Sequence, residues 1–240
     1  GDSINSNTPG AIFEVCLRNS STTEQNGSIA FSFHGPRQEE MAFNAHGLGQ
    51  VISNRAESQH QRIDGDLNGI AVNTKLDEMT YSYVLATSKG NQVNVGGEIQ
   101  DGDWNHLGTS LPSPSQDKAG SSVAVGFSIA PGESQTIPFF LSWYAPIWRA
   151  RGRYEPTNPD GKNDYRNMYA SRFNTALEVA QLLQNQRTHL LERIIAWQEE
   201  IYKEKTVPGW LHDSLINVFA VLPQQSFWST SLDPNHWWGD

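Results

Sequence analysis

Hydrophobic periodicity changes once along this chain, and that change limits what the chain can fold into. Between residues 10 and about 145 apolar side chains recur at every second position; from Asp164 onward they recur every third and fourth. Ile29, Phe31 and Phe33 alternate with Ala30, Ser32 and His34, and Tyr81, Tyr83 and Leu85 alternate with Ser82, Val84 and Ala86. Val123, Val125, Phe127 and Ile129 form a third run, and Ile137, Phe139, Leu141 and Trp143 a fourth. Period two sends successive side chains to opposite faces of an extended chain, so these runs predict antiparallel strands with one buried face. The last two are separated by Ala130-Pro131-Gly132-Glu133, where proline presets φ and glycine accepts a positive φ. Several such strands in succession predict a β-sandwich. Gln100 to Gly120, with Asp101-Gly102-Asp103-Trp104 and Pro112-Ser113-Pro114, reads as a long loop.

The later part reads as helix. Asn163 or Asp164 can serve as an N-cap, followed by Met168, Tyr169, Phe173, Ala176, Leu177, Ala180 and Leu183 along one face. A second run holds Leu190, Leu191, Ile194, Ile195, Trp197 and Ile201, and Gln184-Asn185-Gln186-Arg187-Thr188 leaves open whether the two are one helix. Pro208 then begins a third helix with Trp210, Leu211, Leu215, Val218, Phe219 and Leu222, a normal first-turn use of proline. Two or three amphipathic helices do not close a core of their own, so they must pack on the sandwich or on further helices. The chain therefore divides into a β-sandwich over residues 1–150, incomplete at its start, and the first helices of a second, truncated domain over residues 151–240.

Charge and composition remove several functions. A net charge of −9 argues against a phosphate-binding surface. The local basic cluster Arg149, Arg151, Arg153, Lys162 and Arg166 is interleaved with Glu155, Asp160 and Asp164, which reads as a solvated loop. The one cysteine, Cys16, precludes an internal disulfide and lies on the strand face opposite Phe13, Val15 and Leu17. Seven scattered histidines with no His-x-x-x-His pair give no metal site, and nothing calls for a cofactor. No run of 18 apolar residues crosses a membrane. Glu178, Glu192, Glu199 and Glu200 read as solvated helix faces, and Asp101 and Asp103 as turn residues. Asn19-Ser20-Ser21 and Asn26-Gly27-Ser28 match the glycosylation triplet, a pattern common by chance.

The last residues are chemically the most suggestive. Phe227 and Trp228, then His236, Trp237, Trp238 and Asp240, put flat aromatic surfaces beside polar groups. A sugar ring offers an apolar C–H face and a hydroxyl edge, so such a mixture is what a sugar subsite requires. The bland alternative is that Trp237 and Trp238 pack a helical core and Asp240 ends a turn.

Several segments, in order, resemble glycoside hydrolase family 116, the family of non-lysosomal glucosylceramidases and bacterial β-glucosidases. Phe139-Phe140-Leu141-Ser142-Trp143-Tyr144-Ala145-Pro146 is similar to the end of its N-terminal domain. Tyr169-Ala170-Ser171-Arg172-Phe173, Trp197-Gln198-Glu199 and Val207-Pro208-Gly209-Trp210-Leu211 are similar to its first catalytic-domain helices, with Asn217 through Trp228 as the next. The resemblance implies an N-terminal β-sandwich packed on an (α/α)6 barrel, of which this chain would hold the sandwich and an incomplete barrel. It implies retaining hydrolysis of a β-glycoside by a glutamate nucleophile and an aspartate acid/base, both expected outside this chain. Catalytic residues are thus unassigned here, and Trp228, His236, Trp237, Trp238 and Asp240 are the candidate substrate contacts. The implied partners are a β-linked glycoside and the remainder of the same polypeptide, and a secreted or periplasmic setting is favoured over a cytoplasmic one. Other (α/α)6 carbohydrate enzymes, such as glucoamylase-like hydrolases and disaccharide phosphorylases, share that order of domains. A non-catalytic carbohydrate-binding or assembly module remains the alternative of a different class.

Overall fold

The computed structural model describes residues 7–36, 57–76, 79–89, 92–106, 110–151, 162–218 and 229–231. Strands β1 (Gly10–Arg18), β2 (Gln25–Phe33), β3 (Glu57–Ile63), β4 (Leu67–Leu76), β5 (Met79–Ser88), β6 (Val93–Gly97), β7 (Ser121–Ile129) and β8 (Ser134–Tyr144) make two antiparallel sheets. The larger runs β1-β8-β5-β4-β3 and the smaller β2-β7-β6. Between them lies a core of Ile70, Val72, Tyr83, Leu85, Ile137, Phe139 and Leu141 from the larger sheet with Val93, Val123 and Val125 from the smaller. This is the sandwich-like arrangement that period-two alternation predicts. The β7–β8 turn also forms where expected: Gly132 has φ +77°, and the Glu133 N–H donates to Ala130 C=O at 3.1 Å.

The larger sheet departs from the one-face expectation. Val84, Ala86 and Phe140, the alternating partners of the sandwich residues, are also buried, beneath helix α1 (Ala176–Lys203). Six consecutive residues of β8, Ile137 to Ser142, are buried in consequence. The molecule is therefore three layers, small sheet on large sheet on helix. Helix α1 contributes Ala176, Val179, Ala180 and Leu183 to this second core, with Tyr169, Ala170 and Phe173 ahead of it. Close approach is possible because Gly10 faces the helix: a Cβ there would come within 2.5 Å of Leu183 Cδ1. The Ser142 hydroxyl donates to Ala176 C=O at 2.7 Å and ties β8 to the first turn of α1.

Two sequence expectations are corrected here, and one question that the sequence left open is answered. The helix starts at Ala176, not after Asn163 or Asp164; its N-cap is Thr175, whose hydroxyl accepts from the Glu178 N–H at 3.2 Å. Lys162–Asn167 is instead strand β10, and the basic segment expected as loop supplies β9 (Ile147–Arg151), paired with β10 in the register Arg149↔Asp164. A 3₁₀ turn, Met168–Ser171, connects β10 to α1. Finally, residues 176–203 are one continuous helix: Gln184 and Arg187 do not interrupt it because their side chains reach outward to Asp66 C=O and to Glu14. Helix α2 (Gly209–Val218) follows Pro208 as expected. Strand β11 (Ser229–Ser231) pairs with β10 and completes a third sheet, β11-β10-β9.

Candidate functional site

Two of the segments that carry the family resemblance meet in space. The end of β8 and the 3₁₀ turn are latched through Ala145: its C=O accepts from Tyr169 Oη at 2.7 Å and from Asn167 Nδ2 at 2.7 Å. The Ala145 N–H donates back to Tyr169 Oη at 3.1 Å, and the Asn167 N–H donates to Pro146 C=O at 3.0 Å. Tyr144 packs edge-on against Tyr169 at 6.2 Å, and Arg166 donates to Ala170 C=O at 2.8 Å. Burial pushes the Tyr169 phenol above its ordinary range, so it stays neutral and can both donate and accept. The latch fixes the β9–β10–β11 sheet at the end of β8, with Asn167 opposite Ser229. Ser229 directly follows Trp228 in sequence. The candidate substrate contacts Trp228, His236, Trp237, Trp238 and Asp240, with Phe227, lie outside the described residues.

A groove of about 330 Å³ runs between β1 and α1, lined by Gly10, Ile12 and Glu14 from the strand and by Leu183, Arg187 and Leu190 among the helix residues. Within it Arg187 Nε donates to Glu14 Oε1 at 2.6 Å, each side chain about 30 % exposed. Glu14 is the one carboxylate in the lining. Glycoside hydrolysis uses two carboxyl groups, about 5 Å apart in retaining enzymes. The groove accordingly has an apolar wall and a closed ion pair, not a hydrolytic pair. Glu14 lies two residues before Cys16 and so shares its strand face, opposite Phe13, Val15 and Leu17, while Arg187 falls in the polar stretch Gln184–Thr188; the four-residue spacing from Leu183 to Arg187 is the sequence signal that those two line one helix face.

Elsewhere the acidic side chains have the structural roles the sequence suggested. Glu199 and Glu200 pair with Lys203 at 3.4 and 3.3 Å on an exposed helix face. Glu178 Oε2 accepts from the Asn174 N–H at 2.8 Å at the start of α1. Asp103 accepts from the Gln100 N–H at 3.1 Å in a turn. Among the described residues no group of three metal-ligating side chains converges, and no helix is long and apolar enough to cross a membrane. Tyr83, buried in the sandwich, donates to Ala119 C=O and accepts from the Ser121 hydroxyl at 2.8 Å, and burial raises its pKa. Burial lowers the pKa of His60, whose Nε2 donates to Gly120 C=O at 3.1 Å. Asn19 is buried, with Nδ2 donating to Thr23 and Ile129 C=O at 2.8 Å each, so the first glycosylation triplet is closed to a glycan.

The helices present a different kind of surface. Burial on α1 stops at Leu183; beyond it Ile194 and Ile195 are exposed, and on α2 Trp210 is 69 % and Val218 56 % exposed. Tyr202 Oη donates to Asp213 at 2.7 Å and His212 Nε2 to Glu204 C=O at 2.8 Å, which hold α2 against the end of α1.

A family model described as beta-glucosidase 2, glycosyl-hydrolase family 116 N-term, matches residues 1–190. No curated protein matches the chain.

Proposed function

The chain belongs to glycoside hydrolase family 116 through that family's N-terminal domain, and from this premise we propose that it is the leading region of a retaining β-glycosidase of the β-glucosidase or glucosylceramidase type. Its three-layer body is a scaffold, and the exposed apolar face of α1 and α2 seats the catalytic (α/α)6 domain carried by the remainder of the polypeptide. The observation that carries the reading is that surface: Ile194, Ile195, Trp210 and Val218 are large, apolar and exposed, the first two on α1, whose first half packs on the sandwich, and the others on α2, which is held to the end of α1. Extensive exposed apolar surface marks an interaction site.

In the proposed enzyme the catalytic carboxylates lie outside this chain. One attacks the anomeric carbon to form a covalent glycosyl-enzyme; the other protonates the leaving oxygen and then deprotonates the water that releases the sugar. The contribution of residues 227–240 is a rim for the sugar: Phe227, Trp228, Trp237 and Trp238 stack on its apolar face while His236 and Asp240 take hydroxyls. What favours this reading is that the Ala145–Tyr169–Asn167 latch holds β10, whose partner strand β11 begins at Ser229, directly after Trp228 in sequence. The domain division expected from sequence, 1–150 and 151–240, would then place the latch at the junction.

The test is hydrolysis of 4-nitrophenyl β-D-glucoside by the 240-residue chain alone and by the longer polypeptide that includes the catalytic domain. No turnover by the chain and release of the β-anomer of glucose by the longer polypeptide are expected. Turnover by the chain alone overturns the placement of the carboxylates. Strict dependence on phosphate would favour the phosphorylase reading, and glycan binding by the chain with no activity in the longer polypeptide would favour the module.

A further inference from the structure

We propose that strand β1 is a homodimerisation edge, pairing antiparallel with β1 of a second copy about a two-fold axis at Cys16. In the larger sheet β1 is an outermost strand, and among the described residues nothing pairs with its outer side. Its register against β8 decides which backbone groups face outward. The Trp143 N–H donates to Pro9 C=O at 2.9 Å, so Pro9 and Trp143 form a hydrogen-bonded pair. In an antiparallel ladder such pairs alternate with non-bonded ones. Ala11, Phe13, Val15 and Leu17 therefore bond to β8, whereas Ile12, Glu14, Cys16 and Arg18 turn their N–H and C=O groups outward. Pro138 lies opposite Glu14, a position that asks no N–H of it, in agreement with this assignment.

The side chains single out one register. With Cys16 opposite Cys16 of the second copy, Glu14 faces Arg18 and Arg18 faces Glu14, so both flanking pairs are of opposite charge. On the other face Val15 meets Leu17 and Leu17 meets Val15; both are half-buried in the sandwich and gain cover. Shifting by two residues places Glu14 opposite Glu14, and a smaller shift of the axis sets Arg18 against Ile12. Charges on edge strands ordinarily prevent pairing, but here their sequence, Glu14-x-Cys16-x-Arg18, is self-complementary under a two-fold. Self-complementarity of one patch is what an isologous dimer requires. The Asn19 N–H donates to Glu133 C=O at 2.9 Å, which carries the same inward–outward alternation through the end of β1. Glu14 keeps Oε1 on Arg187 and offers Oε2 to the second copy.

The test exploits the chain's single cysteine. Hydrogen-bonded antiparallel partners stand about 5.5 Å apart at Cα, which matches the usual Cα separation of a disulfide. Sedimentation velocity of the 240-residue chain from low to high micromolar is expected to shift from 26.8 kDa to twice that mass. Diamide, accepting the two electrons and two protons of the thiols, should lock the dimer through Cys16–Cys16. Register is tested with two variants, Glu14→Cys/Cys16→Ser and Arg18→Cys/Cys16→Ser, which should cross-link when mixed and remain largely unlinked alone. Cys16→Pro removes an outward N–H without touching the β8 ladder, and should abolish the dimer with the circular dichroism of the chain unchanged. A constant 26.8 kDa mass overturns the proposal. So does a dimer that survives Cys16→Pro, or a mixed pair that cross-links no faster than either variant alone; these would assign association to another surface.

Discussion

Replacing Phe140 with alanine separates a three-layer molecule from a two-layer sandwich. Phe139 and Phe140 are sequence neighbours, both with no exposed area, yet they serve different cores: Phe139 lies between the sheets and Phe140 beneath α1. Truncating a buried phenylalanine costs about 3–5 kcal/mol, the lost transfer energy plus that of the cavity left behind. Both Phe139→Ala and Phe140→Ala should therefore lose that much. At about 2–4 °C per kcal/mol for a chain of this size, each should lower the midpoint of thermal unfolding by on the order of 10 °C. What distinguishes them is where protection is lost. Phe140 touches the α1 side, so hydrogen exchange in Ala176–Leu190 should accelerate in Phe140→Ala under native conditions and far less in Phe139→Ala. If Phe140 instead faced water, as one-face alternation implies, its substitution would fall within about 0.5 kcal/mol of the parent. That result, measured by urea unfolding followed by circular dichroism, would refute the burial of α1 on the large sheet.

Three further outcomes follow from the same geometry. Tyr169→Phe leaves Ala145 N–H without its acceptor and should cost about 1–2 kcal/mol in urea unfolding, with Asn167 still holding Ala145 C=O. Arg187→Ala removes a pair about 30 % exposed and should cost no more than about 1 kcal/mol, a loss that shrinks in 1 M salt, where charges are screened within about 3 Å. His60 has its pKa lowered by burial, so the folded state binds fewer protons than the unfolded one. Its contribution to stability is fully present above the ordinary value of 6.5 and is lost as pH falls from there through the folded pKa. Unfolding midpoints between pH 7.5 and 5 should fall in the parent and fall less steeply in His60→Gln.

Much of the β-fold was legible in the sequence because strands half-buried in a sandwich must alternate, and Pro131-Gly132 marks its own turn. The second buried face of the large sheet was less visible. Val84, Ala86 and Phe140 occupy the positions that alternation assigns to solvent, and only their apolar character hints at a cover. The start of α1 was misread because Asn163 and Asp164 are good caps that here sit in a strand. Thr175-Ala176-Leu177-Glu178 carried the capping signature, and Glu178 turns to Asn174 in place of the cap residue. Strands β9 and β10 went unseen because Ile147–Arg151 and Lys162–Asn167 are short and mix charged with apolar residues, without the long period-two runs that mark the sandwich strands. Of the candidate site, the sequence pointed to aromatic residues beyond the described ones. The latch that would support them required spatial proximity between Ala145 and Tyr169, which no spacing reveals.

The central claim is that α1 and α2 present the seat of a catalytic domain, and hydrogen exchange over residues 191–218 tests it most directly. Measured in the 240-residue chain and again in the longer polypeptide, protection of Leu191–Lys203 and Gly209–Val218 should rise strongly in the latter, while that of the sandwich strands stays constant. Unchanged exchange across both helices, in a longer polypeptide that hydrolyses the glucoside, would contradict the account.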